Sequence, residues 1–320
     1  MTYSPAAQPV PPRRSPWGWI AVVVVLAVIA GGLGFVLLNQ RGNLGVAATP
    51  TASQPSPTPT LNQDLLSNRL TVLVLGLDSD DRRRARGAGL NSDTIMLASI
   101  NADQSEVTLV SIPRDTVDIP LPDGTTWTSK INAIYAQQGV DALRGAIEEL
   151  LAVDIDAYVQ IDMGDLVTIV DAVGGVRVRP HAPLADAHLH LDIPAGRQTL
   201  DGQTAQGYVR TRVDNDFQRA ARQQEVIQQI VRRLVQPERA IDIPALLSGL
   251  DSFETDLPLE DMPTYVELAR RSRDARVTAQ VLEPDDGFMT FAGDAGDGRG
   301  YILEPNIEAM RAFAAEHLVD

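Results

Sequence analysis

The chain has 320 residues, of which 44% are hydrophobic and 22% are charged, and this globular composition excludes wholesale disorder. Cysteine is absent from the sequence, which excludes disulfides, thiolate metal clusters and a cysteine nucleophile. Any chemistry must therefore use carboxylates, arginine, lysine, histidine or hydroxyl groups. The formal net charge of −15 argues against nucleic acid as a partner.

The N-terminal region has a different character from the rest. Residues 17–38 carry no charge and, as a helix rising about 1.5 Å per residue, are long enough to cross a bilayer. Arg13 and Arg14 precede this run and Arg41 follows it. The positive-inside rule places residues 1–16 in the cytoplasm and the rest outside. A cleaved signal peptide, whose apolar region is about 7–15 residues, and a buried core helix are the alternatives. We predict a retained, single-pass anchor in the cell membrane.

The anchor is followed by a spacer and one folded domain. Residues 39–64 are rich in proline, threonine and serine, a composition that stays extended and cannot form a core. Residues 65–320 show no internal repeat and have the size of one large domain.

Strands and helices alternate in the predicted domain. Short β-branched or apolar runs predict strands at residues 70–75, 94–100, 106–112, 158–161, 176–178, 188–193, 277–282 and 301–303. Helical spacing predicts helices at residues 130–152 with a break at Gly139, at 165–173, 217–235, 244–250 and 264–271, and from 305 onward. This alternation favours an α/β fold with a central mixed sheet covered on both faces.

Charged residues occur where the predicted strands begin or end. Asp78 follows the first strand, Asp93 opens the second, and Arg114 follows the third. Such positions are where α/β sheets build their sites. Taken singly, each residue is more typical of a turn acid or a solvated arginine than of a functional group.

The segment at residues 208–224 has the highest density of charge. It leads into the predicted helix at 217–235, on which Arg219 and Gln223 are four residues apart and share a face. Guanidinium forks match phosphate oxygens, and aspartates can hold Mg²⁺ against a phosphate, so the segment suits phosphoryl transfer. A surface network of salt bridges is the alternative interpretation. The charged residues of the segment are Arg210, Arg212, Asp214, Asp216, Arg219 and Arg222.

The histidines suggest a second, weaker hypothesis. His188 and His190 are two apart on the predicted strand at 188–193 and would share a face, with His181 and Asp186 nearby. This pattern could form a metal site. Since no cysteine or second histidine pair completes it, a solvated strand face is favoured.

Several short motifs resemble one known family when they are taken together. They are VLVLGLD at residues 72–78, SDTIM at 92–96, SIPRDT at 111–116, KIN at 130–132, VDAVGGV at 170–176, and the segment 208–224. In order, in spacing and in following a membrane anchor, they resemble the LytR-CpsA-Psr family of cell-envelope proteins.

The resemblance implies an α/β/α sandwich. It also implies that the protein is an extracytoplasmic, membrane-anchored phosphotransferase. Such an enzyme moves a glycopolymer from a polyprenyl pyrophosphate carrier to peptidoglycan, with the lipid tail in the apolar interior. By position, Asp78 and Asp93 would associate with Mg²⁺ or, alternatively, Mn²⁺. The head-group contacts would be Arg114, Arg210, Arg212, Arg219 and Gln223, completed by Lys130 and Asp216, and the base would be Asp78 or Asp216.

One position departs from the family pattern. The family places an arginine directly before Ser-Asp-Thr, whereas this chain has Asn91 at that substrate-binding position. An uncharged amide cannot supply the same phosphate contact, although an arginine at 82, 83, 84 or 86 could reach in. Two alternatives therefore stay open: a polyprenyl-phosphate binding protein with weak or lost catalysis, and a pyrophosphatase that uses water as the nucleophile.

Overall fold

The computed structural model describes residues 60–77, 92–234, 245 and 254–320. The predicted membrane helix at 17–38, Asp78, Asn91 and most of the predicted helix at 244–250 lie outside these residues. Within the described ranges, no helix combines the length and the apolar character that a membrane crossing requires.

The domain is built from short and medium-length elements. The helices are α1 (Gln63–Ser67), α2 (Asn132–Gln138), α3 (Val140–Leu151), α4 (Met163–Ala172), α5 (Gly202–Arg210), α6 (Asp216–Leu234), α7 (Met262–Arg271) and α8 (Ile307–His317). The strands are β1 (Leu70–Leu77), β2 (Ser92–Ile100), β3 (Glu106–Ser111), β4 (Ile119–Pro120), β5 (Thr126–Trp127), β6 (Ala157–Asp162), β7 (Val176–Val178), β8 (Leu184–Asp186), β9 (Leu191–Ile193), β10 (Gln198–Leu200), β11 (Glu254–Thr255), β12 (Arg276–Val281), β13 (Met289–Asp294) and β14 (Tyr301–Pro305).

A mixed six-stranded sheet forms the centre, in the order β11-β6-β1-β2-β3-β12. Strand β1 is parallel to β6, and β3 is parallel to β12. Strand β2 runs antiparallel to both β1 and β3, so its first residues lie at the same sheet edge as the last residues of those two strands. The remaining described strands pair in separate two-stranded hairpins or ribbons.

Alternate residues of the central strands pack into two hydrophobic cores, one on each face of the sheet. Val72 and Val74 of β1 belong to a core shared with α1, α4, α5, α6 and α7. Leu73 and Leu75 belong to a core shared with α2, α3 and α8 on the opposite face. Side chains on a strand alternate between faces, so a strand such as β1, which is buried at every position, must be covered on both sides. The prediction of an α/β/α sandwich around a mixed sheet is confirmed.

Most predicted elements are present, with shifted ends. The predicted helix at 130–152 is divided into α2 and α3 at Gly139, whose φ of 86° lies in the left-handed region that glycine tolerates. Folded structure also begins before residue 65. Asn62 caps α1 by accepting a hydrogen bond from the Asp64 N–H, and its own N–H donates to the Thr264 hydroxyl.

The predicted strand at 188–193 is wrong in its first half. Only residues 191–193 of that span are extended, as β9, and a turn joins β8 to β9. The Asp186 carboxylate accepts hydrogen bonds from the His188 and Leu189 N–H groups, and His190 has a φ of 51°. This local side-chain hydrogen bonding competes with the strand. The two histidines therefore do not share a strand face. Over the described residues, no group of three or more metal-binding side chains forms.

The crossing of α4 and α5 depends on a glycine. A Cβ atom on Gly202 would lie 2.2 Å from the carbonyl oxygen of Val167 and 2.8 Å from its Cα. We expect Gly202→Ala to lower the free energy of unfolding by about 1–3 kcal/mol, because backbone atoms must move apart. Urea denaturation measures this loss. Gly164→Ala is the matched control, since its Cβ would meet only an ordinary contact at 3.5 Å. Equal effects of the two substitutions would contradict the explanation.

Candidate active site

Arg114 lies at the centre of a charged cluster at one sheet edge. Its Nη1 donates a hydrogen bond to Asp93 Oδ1 at 2.6 Å. Its Nε lies 3.7 Å from Asp216 Oδ1 and 3.7 Å from Asp115 Oδ2. Because β2 is antiparallel to β3, Asp93 at the start of one strand meets Arg114 after the end of the other. Residues distant in sequence are thus brought together by strand direction.

The charge of Arg114 is secured by these carboxylates. Burial by itself lowers the pKa of Arg114, but the hydrogen bond with Asp93 and the charges of Asp93, Asp216 and Asp115 outweigh burial and raise the pKa. The guanidinium therefore stays protonated at the site.

Lys130 reaches the cluster through Asp115. Its Nζ lies 2.7 Å from Asp115 Oδ1, and the other oxygen of Asp115 is the one near Arg114. The chain thus has a carboxylate between its single lysine and the central arginine. In the sequence, Asp115 directly follows Arg114 at the end of the third strand, but the family resemblance assigns Asp115 no role.

Arg212 and Arg219 converge on the same two aspartates. Arg219 donates from Nε and Nη2 to the two oxygens of Asp216, at 3.0 and 2.9 Å, and its side chain is almost fully buried. Arg212 lies 3.6 Å from Asp93 Oδ2 and 3.4 Å from Asp216 Oδ1, and its side chain is 42% exposed. Arg212 is therefore the guanidinium in this cluster that is most open to an incoming ligand.

The close approach of Arg114, Arg212 and Arg219 favours the binding of an additional anion. Burial and the neighbouring charges of Arg219 and Arg114 lower the pKa of Arg212, and Asp93 and Asp216 offset this only in part. A bound diphosphate would relieve this repulsion, since it brings negative charge to several guanidinium forks at once.

The start of α6 explains how Asp216 and Arg219 are placed. Asn215 caps the helix, because its Oδ1 accepts a hydrogen bond from the Gln218 N–H at 2.8 Å. Asp216 is then the first helical residue, where the helix dipole favours a carboxylate. Arg219 follows three residues later, on the same helix face.

A cavity of about 290 Å³ opens beside this cluster. Arg210 contributes to the wall of this cavity. Three of the lining residues are arginines and two are aspartates, so cations exceed carboxylates there. The lining residues are Asp93, Asp186, Leu189, Val209, Arg210, Arg212, Arg219 and Gln223.

An apolar slot of about 50 Å³ adjoins the cavity and shares Val209 and Gln223 with it. The slot lies between the sheet and helices α4 and α6, and its walls are mainly aliphatic. Thr94 also lines the slot, and its hydroxyl is buried without a hydrogen-bond partner in the described part of the chain. The charged cavity thus has an apolar neighbour.

Two neighbouring residues of α6 hold the preceding segment in place. Gln223 is buried and donates from Nε2 to the Val209 carbonyl at 3.2 Å. Arg222 is also buried, and it donates to the carbonyls of Tyr208 and Thr211 and to the carboxylate of Asp214. Arg222 is consequently engaged in holding the segment and has little freedom to bind a ligand. The sequence showed a dense run of arginines but not which of them is structural.

The predicted residues thus fall into two groups. The structure brings Asp93, Arg114, Lys130, Arg210, Arg212, Asp216, Arg219 and Gln223 to one region, directly or through Asp115. Asp78 and Asn91, together with the arginines at 82, 83, 84 and 86, lie outside the described residues.

One edge of the central sheet thus carries a charged cleft beside an apolar slot, within an α/β/α sandwich. The model of the LytR_cpsA_psr family matches residues 37–303. The chain therefore belongs to the LytR-CpsA-Psr family.

Individual relatives agree with this assignment. The polyisoprenyl-teichoic acid–peptidoglycan teichoic acid transferase TagU of Enterococcus faecalis is 32% identical over 276 residues, which is 84% of this chain and 86% of that protein. A crystallised protein of Enterococcus faecalis, described as a transcriptional regulator, superposes with a TM-score of 0.63 at 26% identity, over 81% of this chain and 90% of the other. TagT bound to LIIa-WTA has the same fold, with a TM-score of 0.60 at 22% identity, over 78% and 90% of the two chains.

Proposed function

We propose that this chain is a phosphotransferase that moves a glycopolymer from a polyprenyl pyrophosphate carrier to peptidoglycan. The observation that carries the proposal is the convergence of Arg114, Arg210, Arg212 and Arg219 around one cleft beside an apolar slot. A diphosphate that bears a lipid tail needs both surfaces at one place. The name of the TagU relative, a transferase from a polyisoprenyl-linked polymer to peptidoglycan, supports the same reaction class.

The reaction is a displacement at phosphorus. A hydroxyl oxygen of the acceptor forms a bond to the phosphorus that carries the glycopolymer, and the bond from this phosphorus to the bridging oxygen breaks. Polyprenyl phosphate leaves with that oxygen, and the hydroxyl proton passes to a carboxylate base, for which Asp78 and Asp216 are the two candidates. The guanidinium groups stabilise the charge on the phosphoryl oxygens and on the leaving phosphate.

The donor set at the cleft fits a magnesium ion shared with a phosphate. Mg²⁺ binds in proteins through one or two carboxylates together with substrate phosphates and water. Asp93 would supply such a carboxylate. Its Oδ2 is 3.6 Å from Arg212, beyond hydrogen-bonding distance, and so keeps lone pairs available. Asp78 is the second proposed ligand. When bound, Mg²⁺ or Mn²⁺ would neutralise charge on the diphosphate.

The apolar slot would receive the first part of the lipid tail. Its volume of about 50 Å³ is small for a long isoprenoid chain. Binding a longer tail would therefore require α4 and α6 to separate from the sheet. The aliphatic side chains that would line the widened space include Val74, Ile161, Leu166, Val226 and Ile227.

We also propose that residues 17–38 anchor the chain in the cell membrane, with residues 1–16 in the cytoplasm. The uncharged run and its flanking arginines support this arrangement. It would keep the cleft on the outer side, next to a lipid-linked donor and within reach of peptidoglycan, with residues 39–64 as the spacer.

The transfer assay uses the full-length chain, a glycopolymer linked to polyprenyl pyrophosphate, and isolated peptidoglycan. We expect wall-linked glycopolymer and polyprenyl phosphate to appear in equal amounts. EDTA should lower the rate at least about tenfold, with recovery on adding Mg²⁺, because the metal offsets phosphate charge.

The same assay separates the alternatives. Free phosphorylated glycopolymer without wall-linked product would indicate a pyrophosphatase. Co-purifying lipid without turnover would indicate a binding protein, and Asn91→Arg then shows whether the missing arginine accounts for the lost catalysis.

A further inference from the structure

We infer that Asp186 is a positioning residue for the transfer reaction, acting through Thr211 on the two arginines that flank Thr211; this inference rests on the proposed function. Asp186 ends β8 and is not among the positions that the family resemblance selected. It lines the same cavity as Arg210 and Arg212.

Thr211 is held from two sides. It lies directly after α5, fully buried, between Arg210 and Arg212. Its carbonyl accepts a hydrogen bond from Arg222, and its hydroxyl donates to Asp186 Oδ2 at 2.8 Å. A residue restrained through both its main chain and its side chain is a fixed point for its two neighbours.

Both oxygens of the Asp186 carboxylate accept hydrogen bonds, and we call the link from Asp186 to Thr211 the brace. Asp186 Oδ1 accepts from the N–H groups of His188 and Leu189, at 3.0 and 3.3 Å, and this holds the β8–β9 turn. Leu189 in that turn also lines the cavity. One carboxylate therefore ties a wall of the cavity to the arginine segment. The hydrogen bond from Thr211 lowers the pKa of Asp186, which keeps the carboxylate ionised.

The brace matters because arginine side chains are long and flexible. Ordering such a side chain costs up to about 2 kcal/mol of conformational entropy. A backbone fixed at Thr211 reduces the number of arrangements that Arg210 and Arg212 can take. Displacing a group that contacts the reacting phosphate by about 1 Å can lower a rate by about 10²-fold. Losing the brace should therefore reduce turnover without unfolding the domain.

Two substitutions at Thr211 isolate the hydroxyl. Thr211→Val keeps the shape and removes the hydrogen bond to Asp186, whereas Thr211→Ser keeps the hydroxyl. We expect Thr211→Val to lower kcat/KM about 10-fold to 50-fold, mainly through kcat, and Thr211→Ser to stay within about threefold of the unmodified chain. Asp192→Ala, an exposed substitution in the same hairpin, is the matched control and should leave the rate unchanged.

A double-mutant cycle tests whether Asp186 acts through Thr211. If it does, the chain with both Asp186→Ala and Thr211→Val is no slower than Asp186→Ala alone. Additive losses, full activity of Thr211→Val, or a Thr211→Ser variant as slow as Thr211→Val would each overturn the inference.

If the proposed function is wrong, the transfer assay gives a different result from the one expected when only the inference about Asp186 is wrong. In that case the unmodified chain transfers no glycopolymer. Binding of farnesyl pyrophosphate, measured by calorimetry, then replaces turnover as the readout. Weaker binding by Thr211→Val than by Thr211→Ser supports the brace, and equal binding overturns it.

Discussion

Replacing Arg114 by alanine is expected to lower the transfer rate by about 10³-fold. Arg114 is the guanidinium that contacts Asp93, Asp115 and Asp216 together. Its removal takes away a preorganised donor and also leaves carboxylates with less positive charge beside an incoming diphosphate. Both effects raise the barrier, because each places uncompensated negative charge near the reacting phosphate. The measurement is the initial rate of wall-linked glycopolymer formation by the full-length chain.

Two further variants separate charge from geometry at this position. Arg114→Lys keeps the charge but loses the planar fork, so an intermediate loss of about tenfold to a hundredfold is expected. Arg276→Ala is the control, since its guanidinium is highly exposed and pairs with Glu106 at the far end of β3. Such a surface pair contributes about 0–1 kcal/mol, so activity should persist. An Arg114→Ala variant that folds and retains activity within fivefold of the unmodified chain would refute this role.

Replacing Asp93 by asparagine is expected to lower the rate by about 10²-fold to 10³-fold. The substitution preserves size and removes the negative charge that meets Arg114 at 2.6 Å and faces Arg212. The proposed magnesium site also loses a ligand. We therefore expect the Mg²⁺ concentration for half-maximal rate to rise at least about tenfold, since a neutral amide is a weaker ligand than a carboxylate.

The metal dependence distinguishes the two roles of Asp93. A lower rate with unchanged dependence on Mg²⁺ would show that Asp93 acts through the arginines and not as a ligand. Asp123→Asn, in an exposed turn, is the control and should change neither quantity. Full activity of Asp93→Asn at every Mg²⁺ concentration would remove Asp93 from the site.

The resemblance and the structure contribute differently to the site. The motifs selected Asp93, Arg114, Arg212 and Asp216 by number, but their sequence separations range from 4 to 123 residues. Whether their side chains meet depends on strand order and direction, which no single motif contains. The structure also shows Arg222 to be engaged in holding the segment, although in the sequence it looks equivalent to Arg219.

Local patterns determined most elements of this chain. The strand predicted at 70–75 and the helix predicted at 130–152 are both present, as β1 and as the pair α2 and α3. A mostly apolar run is typical of a strand covered on both faces, and helical spacing is typical of a half-buried helix, so neither prediction needed tertiary information. The strand predicted at 188–193 failed because Asp186 forms competing hydrogen bonds with the turn. That competition depends on side-chain geometry and is not visible as a period in hydrophobicity.

The α/β class, most strands and helices, and the residue types available for phosphate chemistry could therefore be predicted from the order of amino acids, since these follow from periodicity and composition over a few residues. Three features needed the folded arrangement of the chain: β2 runs antiparallel to β1 and β3, Arg114 faces three aspartates, and Asp186 accepts a hydrogen bond from Thr211. Those contacts join residues far apart in the chain, and they form only when the burial of both sheet faces fixes how the strands are ordered.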